Sequence, residues 1–131
     1  MASIFDIAGS AMNAQMLRLN TTASNMANVD TVSSTEAGAY RARQTVFATV
    51  MQDAAGGPVR VPEIVESQAP VAKRYEPGHP MADGDGYVYG SNVNAVEEMA
   101  NMISASRSYE SNAEVFSTTK SLMLRTLQLG Q

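Results

Sequence analysis

The chain has no cysteine, no tryptophan, one histidine and only three phenylalanines in 131 residues. Without cysteine there is no disulfide, no thiolate zinc site and no thiol nucleophile. His79 stands alone, so a multi-histidine metal site is excluded and any Ser–His–Asp scheme is limited to one base. No apolar run approaches the roughly 18 residues that span a bilayer. The N-terminal segment lacks a basic n-region, and Asp6, Asn13 and Gln15 interrupt any apolar stretch. It does not read as a cleavable secretory signal. The nine Lys and Arg are scattered and the formal net charge is −4, which argues against a nucleic-acid surface. The length suits one domain with a modest core.

What the chain does have is nine methionines and two amphipathic ends. From Asn92 to Leu129, the positions Ala95, Met99, Met102, Ser106, Tyr109, Ala113, Phe116, Lys120, Met123 and Leu127 follow a 3-4 spacing. Most are apolar or alanine, the pattern of a helix packed along a seam. No proline or glycine interrupts the run before Gly130. Asn94 is placed to cap its start, and Glu97 and Glu98 suit the positive end of the helix dipole. Arg125 falls near the other end, where Gly130 is placed to close the helix in a left-handed cap. At 1.5 Å per residue such a helix is roughly 50–57 Å long, too long for its stripe to be buried inside one small globule. The stripe calls for a partner. Methionines at this spacing read as packing rather than as metal ligands.

Residues 3–28 form a second amphipathic segment. Ser3 is a candidate N-cap with Asp6 at the capping-box position. Phe5, Ala8, Met12, Gln15, Leu19, Thr22 and Met26 keep the 3-4 spacing, with Ile4 and Ala11 widening the face. Its polar side is Asn, Gln, Ser and Thr, types that compete for backbone hydrogen bonds, so this helix depends on packing. Residues 29–39 read as a loop. Residues 40–51 favour a strand, with a short helix as the alternative. Gly56, Gly57 and Pro58 break the chain, and Val59–Glu66 reads as a strand that Pro62 confines to an edge or a bulge. Pro70 turns the chain so that Val71–Glu76 returns as a hairpin partner, before a turn-rich connector over 77–90. The fold class expected is mainly α. Long N- and C-terminal helices pack as an antiparallel coiled-coil pair (1–30 plus 91–131) around a small β-rich middle (31–90). A free two-helix hairpin of this kind is marginal, so further neighbours are needed.

The best enzyme-like cluster is His79, Asp83 and Asp85, which invites a small metal-dependent hydrolase. The plainer reading is a rigid polar turn, since these residues alternate with proline and glycine. Asp83-Gly84-Asp85-Gly86 also resembles the start of a calcium loop, but the twelfth position is Asn94 or Val96 and not the required glutamate. Asn20-Thr21-Thr22 is a glycosylation sequon on a helix, without a signal segment to make it meaningful. Glu63, Glu66 and Glu76 read as solvated charges. No active site emerges, and neither a metal nor a cofactor is expected.

Two stretches carry a resemblance. Residues 18–28, RLNTTASNMAN, contain Ser24-Asn25-Met26-Ala27-Asn28, which resembles the signature of bacterial flagellar axial proteins. Residues 77–131 contain Pro77-Gly78-His79-Pro80, Ala82-Asp83, Gly86-Tyr87-Val88, Asn92-Val93-Asn94, Glu98-Met99 and Tyr109-Glu110. This block is similar to the proximal-rod family of those proteins, and the chain length fits that family. Weaker similarity runs through Tyr40-Arg41 and Val59 to Tyr75. Ala39 and Ser91 stand where the family often has proline, and Met26 where leucine is common, which leaves those hinges less constrained.

The resemblance implies a non-enzymatic shaft subunit of the flagellar basal body that crosses the periplasm. Such a subunit leaves the cytoplasm through the flagellar type III export apparatus. It packs with copies of itself and with other proximal-rod, distal-rod and rod-adaptor proteins, without nucleic acid or a membrane span. Its terminal helices form coiled coils and order on assembly. The assembly interface expected is Phe5, Met12, Leu19, Asn25, Met26, Asn28, Met99, Met102, Tyr109, Phe116, Met123 and Leu127, with the Asn25 and Asn28 amides bonding between subunits. Another axial protein, the hydrolase above and a helical-hairpin adaptor are the competing readings.

Overall fold

The computed structural model describes residues 3–49 and 57–130. Helix α1 (Ile4–Ala27) is followed by strands β1 (Val32–Ser33), β2 (Arg43–Thr49), β3 (Val59–Glu66), β4 (Lys73–Tyr75) and β5 (Tyr87–Gly90), and by helix α2 (Ala95–Leu129). Two long terminal helices packed together, with small sheets in the middle, is the architecture expected.

Both helix starts follow from the sequence. The Asp6 amide donates to Ser3 Oγ and the Ser3 amide donates back to Asp6, completing the capping box. Asn94 Oδ1 accepts from the amides of Val96 and Glu97. The end of α2 differs from expectation. Gly130 has φ −83° and donates to the Thr126 carbonyl, so it continues the helical path without a left-handed turn. Any residue suits that geometry.

The two helices run antiparallel. Phe5 meets the Phe116 ring edge-on at 4.8 Å, whereas Arg18, further along α1, reaches back to Asn101. Every stripe position of α1 from Phe5 to Met26 is buried or half-buried. On α2 the enclosed seam is Glu98, Met102, Ala105, Tyr109, Asn112, Phe116 and Thr119. It shares Met102, Tyr109 and Phe116 with the expected stripe, of which Ala95, Ser106 and Ala113 are also half-buried, but Glu98 and Thr119 are enclosed where Met99 and Lys120 were expected. Met99 is left 53% exposed. Ala8, Ala14 and Ala105 are buried, and the large seam side chains Phe5, Met12, Leu19, Met102, Tyr109 and Phe116 are half-buried.

The middle pairs differently from the reading of the sequence. β2 and β3 form an antiparallel ribbon from Arg43↔Glu66 to Thr49↔Val59. Its register shifts where Phe47 alone faces Val61 and Pro62. Proline has no amide to give the ladder, which is why the bulge falls there. The expected partnership of Val71–Glu76 with this ribbon does not form. Lys73–Tyr75 pairs with Tyr87–Gly90 instead, and β1, within the expected loop, pairs with the other edge of β5. The cause is local. The Asp83 carboxylate accepts from the amides of Asp85 and Tyr87, Gly86 adopts φ +85°, and the Glu76 amide donates to the Gly86 carbonyl. The presumed connector 77–86 is thus a closed hairpin loop. Residues 50–51 of the expected strand and Gly56 of the expected break lie outside the described residues.

Gly86→Ala places a Cβ 2.9 Å from the Tyr75 ring in a left-handed conformation and is expected to cost at least about 1 kcal/mol. Gly130→Ala, meeting nothing closer than 3.5 Å, should stay within about 0.5 kcal/mol of the parent. Urea denaturation of the two variants checks both.

Candidate assembly interface

The expected interface residues fall into three groups. Phe5, Met12, Leu19, Met26, Met102, Tyr109 and Phe116 are half-buried in or beside the seam within one chain. Met99, Met123 and Leu127 are exposed, Leu127 by 65%. The whole of α2 from Lys120 to Leu129 lies in the exposed class, beyond the start of α1 at Ile4. Its Leu122, Met123, Leu124, Leu127 and Leu129 point to more than one side of the helix. A helix apolar on several sides is stable only when neighbours cover it.

Asn25 is the third group, and here the expectation is corrected. It is 1% exposed and its amide is filled inside the chain. Nδ2 donates to the Arg43 carbonyl at 2.8 Å, while Oδ1 accepts from the Arg43 amide at 2.9 Å and the Tyr40 hydroxyl at 2.8 Å. The side chain thus pairs with one residue of backbone as a neighbouring strand would. Asn28 Nδ2 donates to the Ser24 carbonyl of its own helix. Asn28 is half-buried, and its Oδ1 accepts no bond among the described residues.

Asn92 does the same work from the other side. Its Oδ1 accepts from the Ala42 amide, its Nδ2 donates to the carbonyls of Ser67 and Ala69, and its backbone amide donates to Tyr40. Residues 40–43 are therefore strapped between the end of α1 and the approach to α2. Ser91, standing where proline was expected, donates from its hydroxyl to the Val29 carbonyl at 2.7 Å. The hinge is held by a bond that proline cannot make. Sequence reasoning singled out Asn92 only as part of a motif. The available signal was a polar residue just outside a helix start, beside a cap residue that already served the helix.

The cluster His79, Asp83 and Asp85 does no chemistry of the kind considered. Asp83 serves the loop amides, and His79 Nδ1 accepts from the Met81 amide at 3.0 Å. Among the described residues, no three His, Asp or Glu side chains gather around a point that would hold a metal.

One polar groove remains, about 370 Å³, between Arg18 and Thr22 of α1, Arg43–Phe47 of β2, and Glu97, Glu98 and Asn101 of α2. Arg18 donates to Gln15 at 3.5 Å and to Asn101 at 3.2 Å. Glu98 is 5% exposed, and its carboxylate has no hydrogen bond or ion pair among the described residues. The one ion pair among them is the exposed Arg74–Glu76.

Replacing Asn25 by Ala strands two backbone groups and a tyrosine hydroxyl, so its expected cost is at least about 3 kcal/mol. Asn28→Ala should cost below about 1 kcal/mol. Thermal melts of the two variants, compared with the parent, check the contrast.

The sequence matches two family models that fall on the paired ends. Residues 5–32 match "Flagella basal body rod protein", and residues 85–129 match "Flagellar basal body rod FlgEFG protein C-terminal". The flagellar basal-body rod protein FlgC of Escherichia coli O6:H1 is 55% identical over 130 residues, covering 98% of this chain and 97% of that one. The FlgC protein of Salmonella typhimurium is 54% identical with the same coverage. That of Borreliella burgdorferi is 35% identical, again across 98% and 97% of the two chains. With helical ends that leave their outer faces uncovered, a polar cluster spent on its own loop, and this likeness over nearly its whole length, the chain belongs to the FlgC family of flagellar basal-body rod proteins, a structural family and not one of enzymes.

Proposed function

We propose that the chain is a subunit of the proximal part of the rod, built into a helical tube that transmits torque across the periplasm. The observation that carries this reading is the exposed apolar end of α2, which a stable chain needs covered and which a tube of like subunits covers. Residues 1–30 with 91–131 form the part that packs along the tube, and 31–90 form the part that faces outward from it. Copies of the chain, the other proximal-rod subunits, the distal rod and the rod adaptor are the neighbours. Phe5, Met12, Leu19, Met26, Met102, Tyr109 and Phe116 hold the helix pair together, and Met99, Met123 and Leu127 meet those neighbours. Export through the flagellar type III apparatus, without a cleaved signal, delivers the chain.

The strap at residues 40–43 fastens the end of α1 and the start of α2, whereas towards the far ends the middle of the chain gives α1 a single hydrogen bond, from the Val59 amide to Ser10 Oγ, and gives α2 none. We therefore place the ordering on assembly at residues 4–14 and 112–130. In dilute monomer their amides should exchange at least about tenfold faster than those of residues 20–27 and 95–105. Equal protection along both helices counts against it.

Electron cryo-microscopy of basal bodies carrying a tag inserted between Ala54 and Gly57 tests the location. Extra density is expected on the shaft just above the inner membrane, around paired helices lining the channel. A rod formed without the tagged chain, with that chain left in the cytoplasm, overturns the reading.

A further inference from the structure

We propose that strand β4 of one copy adds to the free edge of strand β3 in a neighbouring copy, joining the outward parts of adjacent subunits into one sheet. This rests on the reading of the chain as a rod subunit. β4 is an edge of its three-stranded sheet, and β3 is an edge of the two-stranded ribbon. The Gly90 amide donates to the Ala72 carbonyl and the Glu76 amide to the Gly86 carbonyl. The alternation of an antiparallel ladder then turns the main chain of Lys73 and Tyr75 away from β5. On the ribbon, the Ser67 amide donates to the Ala42 carbonyl and the Arg43 main chain is taken by Asn25. The same alternation turns the main chain of Ile64 and Glu66 away from β2. Among the described residues, the only bond to these outward groups is a 3.4 Å one from the Gln68 side chain to the Glu66 carbonyl. Lys73, Tyr75, Ile64 and Glu66 are all exposed.

The free rungs match in one antiparallel register. Lys73 then faces Glu66 and Tyr75 faces Ile64, an ion pair and an aromatic–aliphatic pair of the kinds that stabilise sheets. Glu63 falls opposite Glu76, but Arg74, 3.8 Å from Glu76, lies diagonal to Glu63 on the same face. Charge also selects which edges meet. Pairing β4 with β4 gathers Lys73 and Arg74 of both copies, and pairing β3 with β3 gathers Glu63 and Glu66, whereas β4 on β3 brings opposite signs together. Within one chain this pairing is denied. Asn92 holds the Ser67 and Ala69 carbonyls, Arg41 also holds Ala69, and the Gly90 amide holds Ala72, so residues 67–72 cannot make the turn. The partner is therefore a second copy. The contact is heterologous, so it passes from one copy to the next as a helical tube requires.

The chain has no cysteine of its own, which suits a disulfide test. The Cα atoms of a hydrogen-bonded antiparallel pair lie about 5.5 Å apart, inside the range a disulfide spans. Basal bodies from cells making both an E66C chain and a K73C chain should give a linked dimer on non-reducing gels after oxidation. Cells making either variant alone should give none. No dimer from the mixed cells, or as much from a single variant, overturns the proposal. Immunoblotting parent basal bodies for the chain tests rod membership separately. As a second arm, E66K and K73E should each shrink swimming zones at least about twofold while melting within about 5 °C of the parent. The chain carrying both changes should swim as the parent does. Normal swimming by both single variants, or a double variant no better than either, overturns it as well.

Discussion

Everything in the middle of the molecule depends on two asparagine side chains. Asn25, in the last turn of α1, and Asn92, just before α2, reach the four residues 40–43 at the same end of the helix pair and take up the Ala42 amide and both backbone groups of Arg43. An amide side chain carries a donor and an acceptor at the spacing of a peptide group, so each substitutes for a strand that is not there. A hydroxyl has no such pair of groups, and a carboxylate lacks the donor. The sheets are small, and Val88 is the one bulky apolar side chain fully enclosed among the described residues. Burial of apolar area cannot orient so small a unit. Directional hydrogen bonds at its root can.

The helix pair shows the opposite economy. Its seam mixes small and large side chains, and its outer faces keep large apolar side chains in water. Exposure of this kind weakens a free subunit and becomes an advantage in a crowd, where the same side chains find cover on every side. Stability is therefore a property of the assembly more than of the chain.

Much of this was legible in the residues. The capping box at Ser3 and Asp6, the Asn94 cap and the α1 stripe are local signals, set by neighbours within one or two turns, and they held. The bulge at Pro62 was legible because proline withdraws an amide wherever it sits. The pairing of β4 was not legible. Three segments of similar propensity competed for two partnerships, and the choice was made by the Asp83 turn, whose hydrogen bonds span only a few residues but redirect a whole strand. The place of Glu98 rather than Met99 in the α2 seam was also hidden, because Met99 and Met102 are equally apolar and only contact with α1 distinguishes their faces. Asn25 was recognised as important for the wrong reason. A conserved-looking amide reads the same whether it faces a neighbour or its own backbone, and burial alone separates the two.

The bond from the Ser91 hydroxyl to the Val29 carbonyl ties the exit from α1 to the approach to α2. A bond of this kind is worth about 0.5–1.5 kcal/mol, so it opens and closes reversibly, whereas a proline ring fixes its own φ permanently. The joint between the two helices is a latch and not a splint.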